Sequence, residues 1–177
     1  LVRAAGRRSA AARQCHEESL QIARTIGDRA LAAAALNNLA VALLFDKDCD
    51  EAVRLFADAL ALYRELGDLG STARTLATQS EALVDVGDLA AAERSLIESR
   101  EILASLGDRF GSARAHNLLG YVHRQAGRLD AAESEQEAAL AEAQAVGSEV
   151  VEADARLELG RLAHAAGRFD DARRQLE

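Results

Sequence analysis

Glycine returns in this chain at a fixed interval, and that interval leaves few folds open. Gly27, Gly67, Gly107 and Gly147 each follow an aliphatic residue, Ile26, Leu66, Leu106 or Val146, and each precede Asp28, Asp68, Asp108 or Ser148; successive members stand 40 residues apart. A second series, Gly87, Gly127 and Gly167, keeps the same spacing, with Lys47 in the equivalent place of the first full unit. Self-similarity at a period of this size marks a repeat architecture, a solenoid in which each unit hides its apolar face only by stacking on a copy of itself.

The content of one period says what the unit is. Between Ala30 and Asp68, small or apolar residues recur at helical spacing through Leu36, Leu39, Ala40 and Leu43. They recur again through Ala52, Leu55, Phe56 and Ala59, after the turn-like Asp46-Lys47-Asp48. Two amphipathic helices with a short connection form an αα-hairpin. Glycine just past a helix end accepts the left-handed conformation that satisfies orphan carbonyls, and Asp or Ser directly after it caps the next helix. Each Gly-Asp therefore closes one helix and opens another.

Small residues carry the expected packing. Ala40, Ser80, Gly120 and Gly160 are equivalent in the first helix of each unit, Ala52, Ala92, Ala132 and Ala172 in the second, and Ala59, Ser99 and Ala139 form a further small row. A bulky replacement such as Ala132→Leu should overpack the contact and cost roughly 1–3 kcal/mol. Aromatic residues make up only 3% of the chain and Trp, Met and Pro are absent, so the core must come from Leu, Ala, Val and Ile.

The order of Leu36, Leu39, Ala40, Leu43, Ala52, Phe56 and Ala59 resembles the tetratricopeptide (TPR) signature of alternating large and small residues, and later units repeat it with substitutions. The match spans nearly all of the chain, with a longer period than the commonest 34-residue form and without the proline that often ends each unit. The 40-residue form with LGD between units is similar to the arrays of large bacterial LuxR-type and ATPase-linked transcription regulators. What this implies is an all-α fold, a right-handed α-α superhelix (a TPR solenoid) of stacked antiparallel helix pairs. One array over 1–177 is expected, with a partial unit at 1–28, full units at 29–68, 69–108 and 109–148, and a truncated fourth at 149–177. Helices are expected over 10–26, 29–45, 50–66, 74–86, 90–106, 112–126, 130–146 and 149–166, with a last one from about 170. The chain opens at Leu1 without methionine and stops at Glu177 inside that last helix, so it reads as a region of a longer protein.

Charge narrows the partners. A formal net charge of −8 with a pI near 5.1 argues against docking on phosphate backbones, which needs a basic face. No apolar run approaches the roughly 20 residues needed to span a bilayer, and no signal-peptide pattern opens the chain, so the expected location is cytoplasmic. Two cysteines do not form a disulfide framework.

Motifs that suggest chemistry fail on inspection. Asp46-Lys47-Asp48-Cys49-Asp50 begins like a calcium loop, yet Glu51 stands where glycine must make the turn and Ala57 where the bidentate glutamate belongs. Cys15-His16-Glu17-Glu18 gathers ligand types on consecutive helical positions, which diverge and cannot share one ion. His116 and His123 occupy the places of Leu36 and Leu43, separated by about 10 Å of helical rise, so they read as packing histidines rather than metal ligands. They could make stability sensitive to pH. Lys47 is the sole lysine, which removes any GxxxxGK phosphate loop, and no nucleophile–base pair is assembled. The expectation is a non-catalytic chain with no cofactor and no metal.

The resemblance also implies where binding occurs. First helices of successive TPR units line the concave side, which places Asn37, Asn38, Val41 and Phe45, then Arg74, Thr78 and Glu81, then Arg114, Asn117, Tyr121 and Arg124, then Asp154, Glu158, Arg161 and His164 away from packing. Arg114, Asn117, Tyr121 and Arg124 share one helical stripe by their spacing. The candidate site is therefore Asn37, Asn38, Arg74, Thr78, Arg114, Asn117, Tyr121, Arg124 and Arg161, suited to an extended protein or peptide segment with carboxylates. The alternatives are a receptor for a small signalling peptide or metabolite, and an assembly module whose stacked ends or outer faces make a homo-oligomer.

Overall fold

The structure is a computed structural model that describes residues 2–176, with the side chains of 11–175. Among these every regular element is helical: α1 (Val2–Ile26), α2 (Arg29–Phe45), α3 (Cys49–Leu66), α4 (Leu69–Asp85), α5 (Leu89–Ser105), α6 (Arg109–Gln125), α7 (Leu129–Val146), α8 (Glu149–Ala165) and α9 (Phe169–Leu176). The all-α class and the succession of antiparallel pairs are as expected.

The turns work as their residues require. Gly67 takes φ 69°, its N–H reaching the Arg64 carbonyl while Asp68 N–H bonds back to Tyr63 O at 3.0 Å. Asp28, Asp68 and Asp108 then accept hydrogen bonds from Leu31, Ser71 and Gly111 backbone N–H at 2.9, 2.9 and 2.8 Å. These caps correct two helix starts. α4 begins at Leu69 rather than Arg74, and α6 at Arg109 rather than Ser112, because the aspartate starts the helix at once and Gly70 or Gly111 sits in the first turn. α1 also begins earlier than expected, at Val2 rather than Ala10.

The chain divides into two compact units, Leu1–Asp88 and Leu89–Glu177. In the first, α2 packs on α1 and α3, and α4 on α3 and α2. Leu20, Ala23, Ala32, Ala33, Leu36, Ala59 and Tyr63 form one apolar cluster, and Ala40, Leu43, Ala52, Phe56 and Ala82 another. Ala40, Ala52 and Ala59 are fully buried, which lets the helices approach closely, as the small rows predict.

In the second unit α6 packs on α5 and α7, and α8 on α7, α6 and α9. Ala92, Ser99, Ala132 and Ala139 are again fully buried. Its core is partly polar, as the first unit's is at Thr72, Thr75, Gln79 and Ser80. Gln136 is completely buried at the register held by Phe56 and Leu96, and His123 is buried where Leu43 and Leu83 stand. Two ion pairs one repeat apart tie a turn to the preceding second helix: Arg128 to Glu93 at 2.7 Å and Arg168 to Glu133 at 2.8 Å. Arg128 and Arg168 are well exposed, so each pair is worth about 0–1 kcal/mol.

Candidate functional site

The expected surface residues fall into three local settings. In the first unit Asn37 is half-buried and its Oδ1 accepts a hydrogen bond from Thr75 Oγ1 at 3.1 Å, linking α2 to α4. Its Nδ2 donates to Asn38 Oδ1 at 3.4 Å, and Asn38 is exposed. Arg74 is exposed and donates to Ser71 Oγ at 3.1 Å, while Thr78 Oγ1 donates back to Arg74 O at 3.1 Å. These side chains are mostly engaged with their own helices.

In the second unit the stripe Arg114, Asn117, Tyr121, Arg124 is divided. Arg124 Nε donates to Glu158 Oε2 at 2.9 Å, Arg161 donates to Glu158 Oε1, and the Arg124 guanidinium lies over the Tyr121 ring 5.2 Å from its centre. Gln125 Nε2 donates to Tyr121 Oη at 2.7 Å. Glu158, expected to point away from packing, is instead buried. Two arginines neutralise it, which allows a carboxylate there, and it takes up charge that Arg124 and Arg161 would otherwise offer a ligand.

Arg114 and Asn117 stand apart from that network. They line a groove of about 390 Å³ between α6 and α8 with Phe110, Leu118, Val150, Val151 and Asp154. Phe110 and Val150 are exposed apolar rims, at 48% and 72%, where the same register holds Ala30 and Gly70 in earlier units. Arg114 and Asp154 are also equivalent to each other, one repeat apart, and among the described residues neither makes an ion pair or side-chain hydrogen bond.

The floor of the groove has a defined polarity. Gln136 Nε2 donates to the Asn117 backbone carbonyl at 2.9 Å, and a carbonyl can only accept, so the orientation of the buried amide is set. Gln136 Oε1 must then accept, and it does so from Asn117 Nδ2 at 3.2 Å. The Asn117 amino group thus faces Gln136, which leaves Oδ1 as the free acceptor of a residue that lines the groove.

Elsewhere on α6, His116 is not simply packed. Its Nδ1 lies 2.6 Å from Glu135 Oε2, and Arg100 reaches the other oxygen at 3.4 Å. Burial pushes the Glu135 carboxyl up, but the His116 hydrogen bond and the charges of His116, Arg100 and His123 outweigh it and hold the carboxyl below its ordinary range. Glu93 is likewise held low, chiefly by its hydrogen bond from Arg128. His123 Nδ1 is buried 3.9 Å from Glu93 Oε1 without a hydrogen-bond partner. No group of three His, Cys, Asp or Glu is placed to hold a metal ion among the described residues, and no helix there is long and apolar enough to cross a membrane.

Repeat periodicity did not point to Phe110, Leu118 or Val150. The signal was present, since a large apolar residue replaces Ala30 or Gly70 at a position that faces outward.

A family model described as "Tetratricopeptide repeat" matches residues 2–65, 31–105 and 111–177. Among curated proteins, no sequence matches the chain. Among solved structures, BtubC (BKLC) from P. vanneervenii superimposes with a TM-score of 0.85 at 21% identity, covering 95% of this chain and 70% of that one. A Rap protein complexed with Competence and Sporulation Factor gives 0.82 at 17% identity, over 96% of this chain and 48% of that one. The STAND ATPase PH0952 from Pyrococcus horikoshii, which has a tetratricopeptide repeat sensor, gives 0.78 at 18% identity, over 88% of this chain and 24% of that one. At these identities the likeness is one of fold. This chain spans about half the length of the Rap protein and a quarter of the STAND protein.

Proposed function

The chain belongs to the tetratricopeptide repeat family, and from that premise we propose that it is a non-catalytic scaffold that binds a protein or peptide segment on its first-helix face, as the sensor or interaction region of a larger bacterial transcriptional or signalling regulator. The observation that carries this reading is the groove between α6 and α8, lined by exposed Phe110 and Val150 together with Arg114 and Asp154, which have no ion pair among the described residues. Apolar anchors with a few placed polar groups are how such surfaces hold a segment. The Rap complex and the STAND sensor, both similar in fold, support it.

On this reading the repeat units run over 1–28, 29–68, 69–108, 109–148 and 149–177 as one array, and the chain acts in the cytoplasm, without contacting nucleic acid or membrane. Asn37, Asn38, Arg74 and Thr78 are the binding residues of the first unit. Arg114 and Asn117 make direct contact in the second, and Tyr121, Arg124 and Arg161 form its edge.

Selection of a phage-displayed random peptide library on the immobilised chain tests this. Enriched peptides should bind the wild type and lose binding to Phe110→Ala and Arg114→Ala, both surface changes that leave the circular dichroism unaltered. Enriched peptides that bind both variants as well as the wild type would move the site elsewhere. A receptor for a small peptide or metabolite is the second reading, favoured by the groove's volume of about 390 Å³, and a ligand-dependent rise in Tm separates it from a homo-oligomeric assembly module, which light scattering over a concentration series detects. The regulator context is tested by the neighbouring coding sequence: a nucleotide-binding module before and a helix-turn-helix after would support it.

A further inference from the structure

We propose that the α6/α8 groove takes a small zwitterion with an apolar body, either a free apolar amino acid or a very short apolar peptide, its carboxylate on Arg114 and its ammonium on Asp154 and Asn117 Oδ1. This deepens the reading of the first-helix face as the binding surface and rests on it.

The charges come first. Arg114 and Asp154 occupy one register on neighbouring first helices, where the earlier units carry Ala34 and Arg74. Both line the same groove, and neither is partnered among the described residues. This differs from the other charged side chains of the second unit's interhelix contacts, where Arg100, Arg124, Arg128 and Arg168 each meet a glutamate. A cation and an anion left facing one cleft complement a ligand bearing both signs. Packed helix axes lie about 8–10 Å apart, so groups at equivalent positions face each other over a gap suited to two charge-assisted hydrogen bonds with a short span between them. An amino acid offers a single carbon between its charges, and a di- or tripeptide only slightly more.

The acceptor on the floor sharpens the polarity. Gln136, wholly buried, takes the Asn117 amino group, so that Oδ1 and the Asp154 carboxylate are both left as acceptors, a suitable setting for an ammonium with several N–H donors. Arg114 supplies the planar fork that carboxylates prefer. Phe110, Leu118 and Val150 give the apolar part of the ligand a surface that the first unit, with Ala30, Gly70 and Asn38 at these registers, does not. The volume of about 390 Å³ is at the lower end of small-ligand sites.

Calorimetric and NMR titrations of the whole chain with L-leucine, N-acetyl-L-leucine, L-leucinamide, N-acetyl-L-leucinamide and trileucine test the assignment. L-leucine should bind, and blocking either charge should weaken binding about tenfold or more, as loss of a charged hydrogen bond does. Arg114→Gln should weaken L-leucine but leave L-leucinamide unchanged, and Asp154→Asn should weaken L-leucine but leave N-acetyl-L-leucine unchanged. Trileucine binding tighter than leucine makes a peptide the natural source, and the reverse makes it a free amino acid. If N-acetyl-L-leucinamide binds as well as leucine and loses this in Phe110→Ala, the face is a binding surface but the zwitterion assignment falls. If L-leucine binds all three variants like the wild type, the site lies elsewhere and both readings fail. If no probe binds while selected peptides still do, only the zwitterion assignment is overturned.

Discussion

At the scale of single residues, the turn at Lys47 and the carboxylate of Glu135 show how position decides cost. Lys47 takes φ 64° where every equivalent turn has glycine, and its ammonium lies 2.9 Å from Asp85. A left-handed L-residue costs about 1–2 kcal/mol, more than a largely exposed ion pair returns, about 0–1 kcal/mol. Lys47→Gly and Lys47→Ala both delete the ion pair, so their difference isolates the backbone: urea denaturation should find the glycine variant more stable than the alanine one by about 1 kcal/mol. Glu135 is a matter of sign. Its carboxyl is held low in the folded chain, so it contributes stability that is fully present above its unfolded value near 4.3 and is lost as pH falls through the lower folded value. His116→Leu, which installs the residue that Leu36 and Leu76 hold at this register, removes the hydrogen bond that lowers it most, and should cost about 1–2 kcal/mol near pH 7. Urea midpoints from pH 3 to 7 should show the loss narrowing below about pH 4.

At the scale of elements, the contact of α6 with α7 is specified by a pairing of shapes rather than by apolarity. A Cβ added at Gly120 would lie 2.5 Å from Gln136 Nε2 and 2.9 Å from its Cγ. Gln136 cannot easily yield, being fully buried and hydrogen-bonded twice to Asn117. Gly120→Ala should therefore lose about 1–3 kcal/mol to overpacking, set against about 1 kcal/mol gained in helix propensity, and the Asn117 and Gln136 side-chain amide resonances should shift. Adding Gln136→Ala should make the double variant less destabilised than the two single losses together. Additive losses would mean that the two residues do not share this contact.

At the scale of the whole molecule, stability in a repeat chain is a sum over units and their neighbour contacts. Among the described residues α1 packs on α2 and α9 on α8, with no other helix partner, whereas α2, α6 and α8 each have at least two. Native-state hydrogen exchange on the 177-residue chain should thus open α9 and α1 at lower free energy than α2, α3, α6 and α7. Equal protection throughout would mean that each unit unfolds as one cooperative block.

Glycines at a fixed interval, aspartates behind them and small residues at matched registers determined the helices, their caps and their antiparallel pairing, because these depend on local backbone chemistry and on a pattern repeated along the chain. Aspartate capping at Leu69 and Arg109 was legible in outline but its reach into the glycine-containing first turns was not. The division of the stripe was decided only by the tertiary structure. Arg161 meets Glu158 within α8, but Arg124 reaches the same carboxylate from α6, while Arg114 and Asp154 have no ion pair among the described residues. Which charge meets which depends on side-chain reach between helices 40 residues apart, and periodicity reports the register of a position but not whether its neighbour has already neutralised it.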